Sequence, residues 1–171
     1  MRPSRYPLLM DFQHGEWLRA EFDAGTVAIS YRPNPDLSVL SAMVLAANHA
    51  LLGPPPAELL DPTSTDSLIR AMTDGIPALV EDLTSDTANV LLTLARIWHT
   101  VETGSFAPKH EAADWALAGV SSRHAGPLRR ARDVYLGEGS DEWSSFQPEA
   151  KATADFMVAE INSAASSARF A

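Results

Sequence analysis

The stretch "DTANVLLTLARIWHTVET", residues 86–103, constrains the chain more than any other. Val90, Leu91, Leu94, Ile97, Trp98 and Val101 recur at steps of three and four, so as a helix they cover one broad apolar side. A helix with so wide an apolar side is stable only when other elements cover it. The same periodicity dominates after residue 35 and predicts helices over roughly 36–52, 66–83, 87–103, 109–118, 125–137 and 148–167. The expected fold class is all-α: a helical bundle of five to six helices with a short N-terminal extended remnant.

The breaks are equally legible. "GPPPAELLDPTS" (53–64) is a proline-rich connection, and Pro77 is expected to kink or split the second helix. "GEGSDEWSSFQP" (137–148) is the last long loop, and "NSAASSARFA" is a small-residue tail expected to fray. Residues 1–30 differ from the rest: a short extended run, a short helix ended by Gly25, then β-branched residues. They resemble the closing edge of a preceding domain, which leaves 31–171 as the helical domain.

With 171 residues, 46% of them hydrophobic, the chain can bury a substantial core. It contains no cysteine, which excludes disulfides, zinc-thiolate sites and thiol nucleophiles and fits a cytoplasmic location. "MRPSRYPLLMDF" is too short in apolar residues for a secretory signal, and "LSVLSAMVLAANHALLG" (37–53) reads as a buried soluble helix, not a membrane span. The net charge of −9 repels nucleic acid and anionic membranes, so neither is an expected partner.

The second face of helix 86–103 carries the chemistry. Asp86, Asn89, Thr93, Arg96 and Thr100 share it, one cation among short hydroxyl and amide groups. A solvated face would carry several Lys and Glu, so this one suits a cleft wall, where Arg96 needs an anionic partner. That partner is either a ligand or a structural acid, Asp86 or Asp114. Lys109 follows Pro108 at the expected first turn of the next helix, where a lysine opposes the helix dipole unless an anion binds there. The plainer reading is a flexible surface lysine. His110 and Asp114 in "HEAAD" have the spacing of a metal pair but lack a further ligand, so no metal site is assigned. "GEGSDEW" lacks the strand and helix of a phosphate loop, and no catalytic Ser, His and Asp set can be nominated.

Three long motifs, "RYPLLMDFQHGEWLRAEFDAG", "NVLLTLARIWHTVETGSFAPKHEAADWAL" and "RARDVYLGEGSDEW", in this order, resemble the streptomycin/spectinomycin aminoglycoside adenylyltransferases from about Arg5 to Ile161. The resemblance implies an N-terminal nucleotidyltransferase domain that performs the chemistry and a C-terminal helical domain that closes over ATP and the aminoglycoside. Residues 1–30 would then be the remnant of the nucleotidyltransferase domain. It implies that Lys109 contacts nucleotide phosphates, with Arg96, Tyr135 and Asp36 on the same nucleotide-facing side. It also implies that Trp17 packs on the aminoglycoside and that Asp86 and Asn89 face it.

The departure from the family is large. Its catalytic half carries G-S, then D-x-D, then a further carboxylate, and this chain contains no D-x-D. No catalytic residue is therefore assigned. ATP and Mg²⁺ are expected only in a complete enzyme with that domain, and the chain alone is expected to be inactive. Members acting on streptomycin carry a Trp matching residues 77–82, where this chain has "PALVED", which favours spectinomycin. The alternative is a stand-alone helical module that binds aminoglycoside or partners a separate nucleotidyltransferase chain. An RNA-cutting bundle is set aside, because no Arg–His pair has the required spacing.

Overall fold

A computed structural model provides the structure of the chain and describes residues 6–11, 13, 15–27 and 31–168. Two compact units divide it, Met1–Ala71 and Met72–Ala171.

In the first unit, β1 (Leu9–Met10) pairs antiparallel with β2 (Arg32–Pro33), Leu9 opposite Pro33 and Met10 opposite Arg32. Among the described residues this is the only sheet. A 3-10 turn at Glu16–Leu18 leads into α1 (Arg19–Ala24). Gly25 closes α1 as expected, at φ 66, with its N–H directed to the carbonyls of Glu21 and Phe22. Ala28 to Ser30, within the expected β-branched run, lie outside the described residues.

Helix α2 (Pro35–Ala47) begins with Pro35 in its first turn, and the Asn34 side chain accepts the Asp36 N–H at 3.0 Å. It stops short of the expected end near residue 52. Asn48 turns left-handed, at φ 44, and its Oδ1 accepts the Ala57 N–H at 3.1 Å, tying the chain back to α3 (Pro56–Leu59). The expected burial of this helix is corrected too: Ser38 is its one buried residue, while Leu40 and Val44 are exposed. Apolar residues surround α2 instead of lining one side, so covering one face leaves others open.

The expected second helix is two helices. Helix α4 (Thr65–Asp74) gives way at Gly75 to α5 (Ile76–Glu81), where Pro77 sits in the first turn, the place a helix tolerates it. This split and the turn at α3 raise the helix count above five or six; the class stays all-α, with the single small sheet. No described helix is long and apolar enough to cross a membrane.

In the second unit, α6 (Thr87–Thr103) packs against α7 (Lys109–Gly119), α8 (Ser122–Tyr135) and α9 (Gln147–Ala168). Val90, Leu91, Leu94, Ala95, Leu128, Met157 and Ile161 are fully sealed from solvent. Along α6 and α9 the contacts ascend in the same order. The Gln147 amide donates to Thr87 Oγ1 at 3.0 Å, and Phe156 meets Trp98 edge-on with ring centroids 6.0 Å apart. Helix α7 ascends with them, since Lys109 reaches Asn89 and Trp115 meets Trp98 edge-on at 5.2 Å. The segment 104–108 therefore doubles back along α6, which five extended residues can do over ~17 Å. Helix α8 starts at Ser122, earlier than expected. Pro127 falls inside it but so near the start that one backbone hydrogen bond is forgone.

Since Leu91 is sealed within the unit and Leu51 is 96% exposed, the two leucines should separate cleanly. Leu91→Ala is expected to cost about 3 kcal/mol in urea unfolding followed by circular dichroism, and Leu51→Ala less than about 0.5 kcal/mol.

Candidate functional site

The polar face of α6 forms as the sequence implies, but its hydroxyl groups turn inward. Thr100 is buried, and Thr93, Asn89 and Arg96 are half-buried. Asp86 occupies the position before the first turn of α6 and makes no side-chain cap to the helix backbone. Its carboxylate instead accepts from Asn89 Nδ2 at 2.8 Å. Asn89 Oδ1 in turn accepts a short hydrogen bond from the Lys109 ammonium, across from α7. Asp86, Asn89 and Lys109 therefore form one relay, carboxylate to amide to ammonium.

The electrostatics of the relay are unbalanced. Burial holds the Lys109 pKa below its ordinary value, the nearby Arg96 guanidinium lowers it further, and the Asp86 carboxylate opposes both. The Lys109 ammonium is thus within electrostatic range of both the Arg96 guanidinium and the Asp86 carboxylate. Asp114, the other acid considered for Arg96, is engaged elsewhere: Arg132 Nε lies 2.8 Å from its Oδ1. Lys109 is not the free surface lysine of the plainer reading. It is half-buried and hydrogen-bonded.

Tyr135 comes to the same end of α7. It ends α8, is 52% exposed, and stacks on His110 with ring centroids 6.2 Å apart and planes 18° apart. His110 follows Lys109 directly. Sequence reasoning considered it only as half of a metal pair. Its contact with Tyr135 spans 25 residues and two helices, so no local spacing could have exposed it.

Trp17 and Asp36 belong to the first unit. Trp17 is 72% exposed, which rules out a core role, and its indole lies over Gly15 so closely that a Cβ at position 15 would overlap the ring. The sequence "GEW" therefore needs its glycine for the tryptophan to lie this way. Asp36 is exposed in the first turn of α2. The structure links Asp86, Asn89 and Lys109 by hydrogen bonds, with Arg96 close to Lys109, and Tyr135 contacts His110, the next residue along α7.

The described residues offer no cluster that fits Mg²⁺. Among the described residues no three His, Asp or Glu side chains gather where a metal ion could be held, and the metal-pair candidates His110 and Asp114 are occupied by Tyr135 and Arg132. The start of α7 has the chemistry of an anion site. Arg96 and Lys109 lie close together, and at the start of α7 three backbone N–H groups precede the first helical bond, from Ala112 N–H to the Pro108 carbonyl.

Comparison with known proteins gives a consistent result. Residues 58–160 match the family model described as aminoglycoside adenylyltransferase, C-terminal domain. A spectinomycin 9-adenylyltransferase from Staphylococcus aureus is 37% identical over 160 residues, covering 93% of this chain and 61% of that protein. An aminoglycoside (3'') (9) adenylyltransferase from Escherichia coli is 32% identical over 166 residues, with the same coverage of 93% and 61%. A crystal structure of a spectinomycin adenyltransferase from Enterococcus faecialis with ATP and spectinomycin superposes with a TM-score of 0.78 at 26% identity, covering 94% of this chain and 63% of that one. The chain thus spans about three-fifths of the length of these relatives. The match over more than half of its residues shows that the chain belongs to the aminoglycoside adenylyltransferase family, in the part that forms the family's C-terminal domain.

Proposed function

We propose that this chain is the helical, substrate-binding portion of an aminoglycoside nucleotidyltransferase that confers antibiotic resistance in the cytoplasm by ATP-dependent O-adenylylation. The preferred drug is of the spectinomycin type, since "PALVED" lacks the Trp matching the streptomycin-acting members. The observation that carries the proposal is the half-buried Lys109 at the start of α7, hydrogen-bonded to Asn89 and close to Arg96. A polyphosphate placed there offsets both the burial of Lys109 and the repulsion from Arg96, and the start of α7 adds its free N–H groups. By the resemblance to the family, Tyr135 and Asp36 are each assigned to the nucleotide, and Asp86, Asn89 and Trp17 to the drug. A carboxylate and an amide suit ammonium and hydroxyl groups, and an exposed indole suits the drug's apolar ring faces.

No transfer step is assigned to this chain. Two-metal adenylyl transfer needs carboxylates that hold Mg²⁺ and activate the acceptor hydroxyl, and no D-x-D is present here. Purified chain incubated with ATP, Mg²⁺ and spectinomycin should release no pyrophosphate above background. Turnover that survives rigorous purification would overturn this assignment of roles.

The resemblance to the family assigns Lys109 and Asp86 to separate ligands. The relay through Asn89 couples them. In calorimetric titrations of the chain, Lys109→Ala should weaken ATP binding by about 1.5–3 kcal/mol and spectinomycin binding by a smaller amount, because Asn89 loses its anchor. Asp86→Asn should weaken spectinomycin the more of the two. Equal loss of both ligands in both variants would mean that the substitutions act through folding. Wild-type chain that binds spectinomycin but not ATP would support the stand-alone drug-binding module.

Proton linkage offers an independent check. Folding lowers the Lys109 pKa, so its charged form is disfavoured in the fold at every pH below the folded value. That cost disappears as pH rises through the folded value towards the ordinary 10.5. ATP should raise the Lys109 pKa and take up protons in this alkaline window. The chain has only two lysines, Lys109 and Lys151, so ¹³C-lysine NMR can follow Lys109 directly. Its midpoint should move further down in Asp86→Asn and up in Arg96→Gln; movement in the opposite sense would refute the electrostatic account.

A further inference from the structure

Helices α7 and α8 are cross-linked by two successive rungs. One is the ion pair between Arg132 Nε and Asp114 Oδ1 at 2.8 Å, and the other is the stack of Tyr135 on His110. The partners lie three positions apart on α8 and four positions apart on α7, which places each pair on one helix face. The two rungs differ in kind. The ion pair is held by charge, whereas the stack sets two rings 18° from parallel.

The chemistry of His110 sharpens the contrast. Its Nδ1 is buried without a hydrogen-bond partner, and its Nε2 lies 3.9 Å from the Glu111 carboxylate, too far for a hydrogen bond. No polar contact therefore fixes the plane of the imidazole, and the tyrosine ring is the planar group that it meets. For Tyr135 the backbone is fixed at the end of α8, where the Leu136 N–H reaches the Arg132 carbonyl and Gly137 turns left-handed at φ 77. Its side chain, half-exposed at a helix end, would otherwise sample several rotamers. Stacking on His110 favours one ring position for a side chain that stays half-exposed. His110 follows Lys109 in the first turn of α7.

We propose that His110 is a positioning residue: its imidazole, stacked on Tyr135, holds the phenol ring ready for the nucleotide beside Lys109. The role of the held ring rests on the nucleotide-side reading of Tyr135 given above, whereas the positioning itself does not. Stacking and not ionisation performs the task, so a phenyl ring should substitute for the imidazole.

The test uses the whole 171-residue chain labelled with 3-fluorotyrosine. Its three tyrosines, Tyr6, Tyr31 and Tyr135, give three ¹⁹F signals assignable by Tyr→Phe substitution. His110→Ala should move the Tyr135 signal towards that of free fluorotyrosine and sharpen it, and His110→Phe should keep it shifted. In calorimetry, His110→Ala should weaken ATP about threefold to tenfold, His110→Phe should restore most of that loss, and spectinomycin affinity should stay level in both. A Tyr135 signal that is the same in wild type and His110→Ala overturns the proposal. So does an equal loss of ATP affinity in the Ala and Phe variants, which would give the role to the imidazole nitrogen. If the wild-type chain binds no ATP, the nucleotide reading fails, and the fluorine spectra still decide whether His110 positions Tyr135.

Discussion

Helix α6 can offer water only what its neighbours leave uncovered, and they leave little. Eleven of its seventeen residues are buried, with α7, α8 and α9 packed around it. Each buried leucine contributes on the order of 2–3 kcal/mol through burial. Rotating the helix by one residue would exchange several of those side chains for polar ones. The orientation of α6 is therefore fixed by its apolar side, and the positions of Asn89 and Arg96 follow from it. A polar wall that no binding energy has to create is one that a ligand meets already organised.

Much of this was legible in the sequence. The bounds of α6 agree with the periodicity to the residue, and those of α7 to within one, because long apolar repeats flanked by Gly104 and Pro108 leave little choice. Pro77 split the second helix as its lost N–H requires. Failures cluster where side-chain chemistry overrode hydrophobicity. Leu51 and Leu52 looked like the continuation of α2, yet Asn48 ends that helix by turning left-handed and holding Ala57 with its own side chain. The polar face of α6 could be found from spacing. Its coupling to Lys109 could not, because segment 104–108 doubles back and brings α7 alongside α6 in the same direction. Consecutive helices joined by so short a segment ordinarily run antiparallel, and a local pattern carries no sign of the exception.

The same segment explains why two cations lie so near each other. In an antiparallel hairpin the start of α7 would lie at the far end of α6, beyond Thr103, and Lys109 would be remote from Asn89. The return path instead brings a helix N-terminus, a lysine and an arginine to one part of the wall. Each of the three favours an anion and disfavours the other two. A protein selected only for stability has no reason to collect them. Their cost is limited by partial exposure and by Asp86.

Asn89 shows how the arrangement remains stable without a ligand. Its amide donates through Nδ2 to the Asp86 carboxylate and accepts through Oδ1 from the Lys109 ammonium, and the reversed amide would satisfy neither. No charged residue could take its place. Aspartate at position 89 would pair with Lys109 but repel Asp86, and lysine would do the opposite. A leucine of similar size would leave the half-buried Lys109 ammonium without its hydrogen-bond acceptor, and a buried unpaired ion is costly. The amide keeps the carboxylate and the ammonium apart while partnering each, so neither is neutralised by direct contact with the other. An anionic ligand taking Lys109 and a cationic ligand taking Asp86 would each free one end of the same amide. Occupancy of one side of the wall is thereby felt on the other through a single neutral side chain.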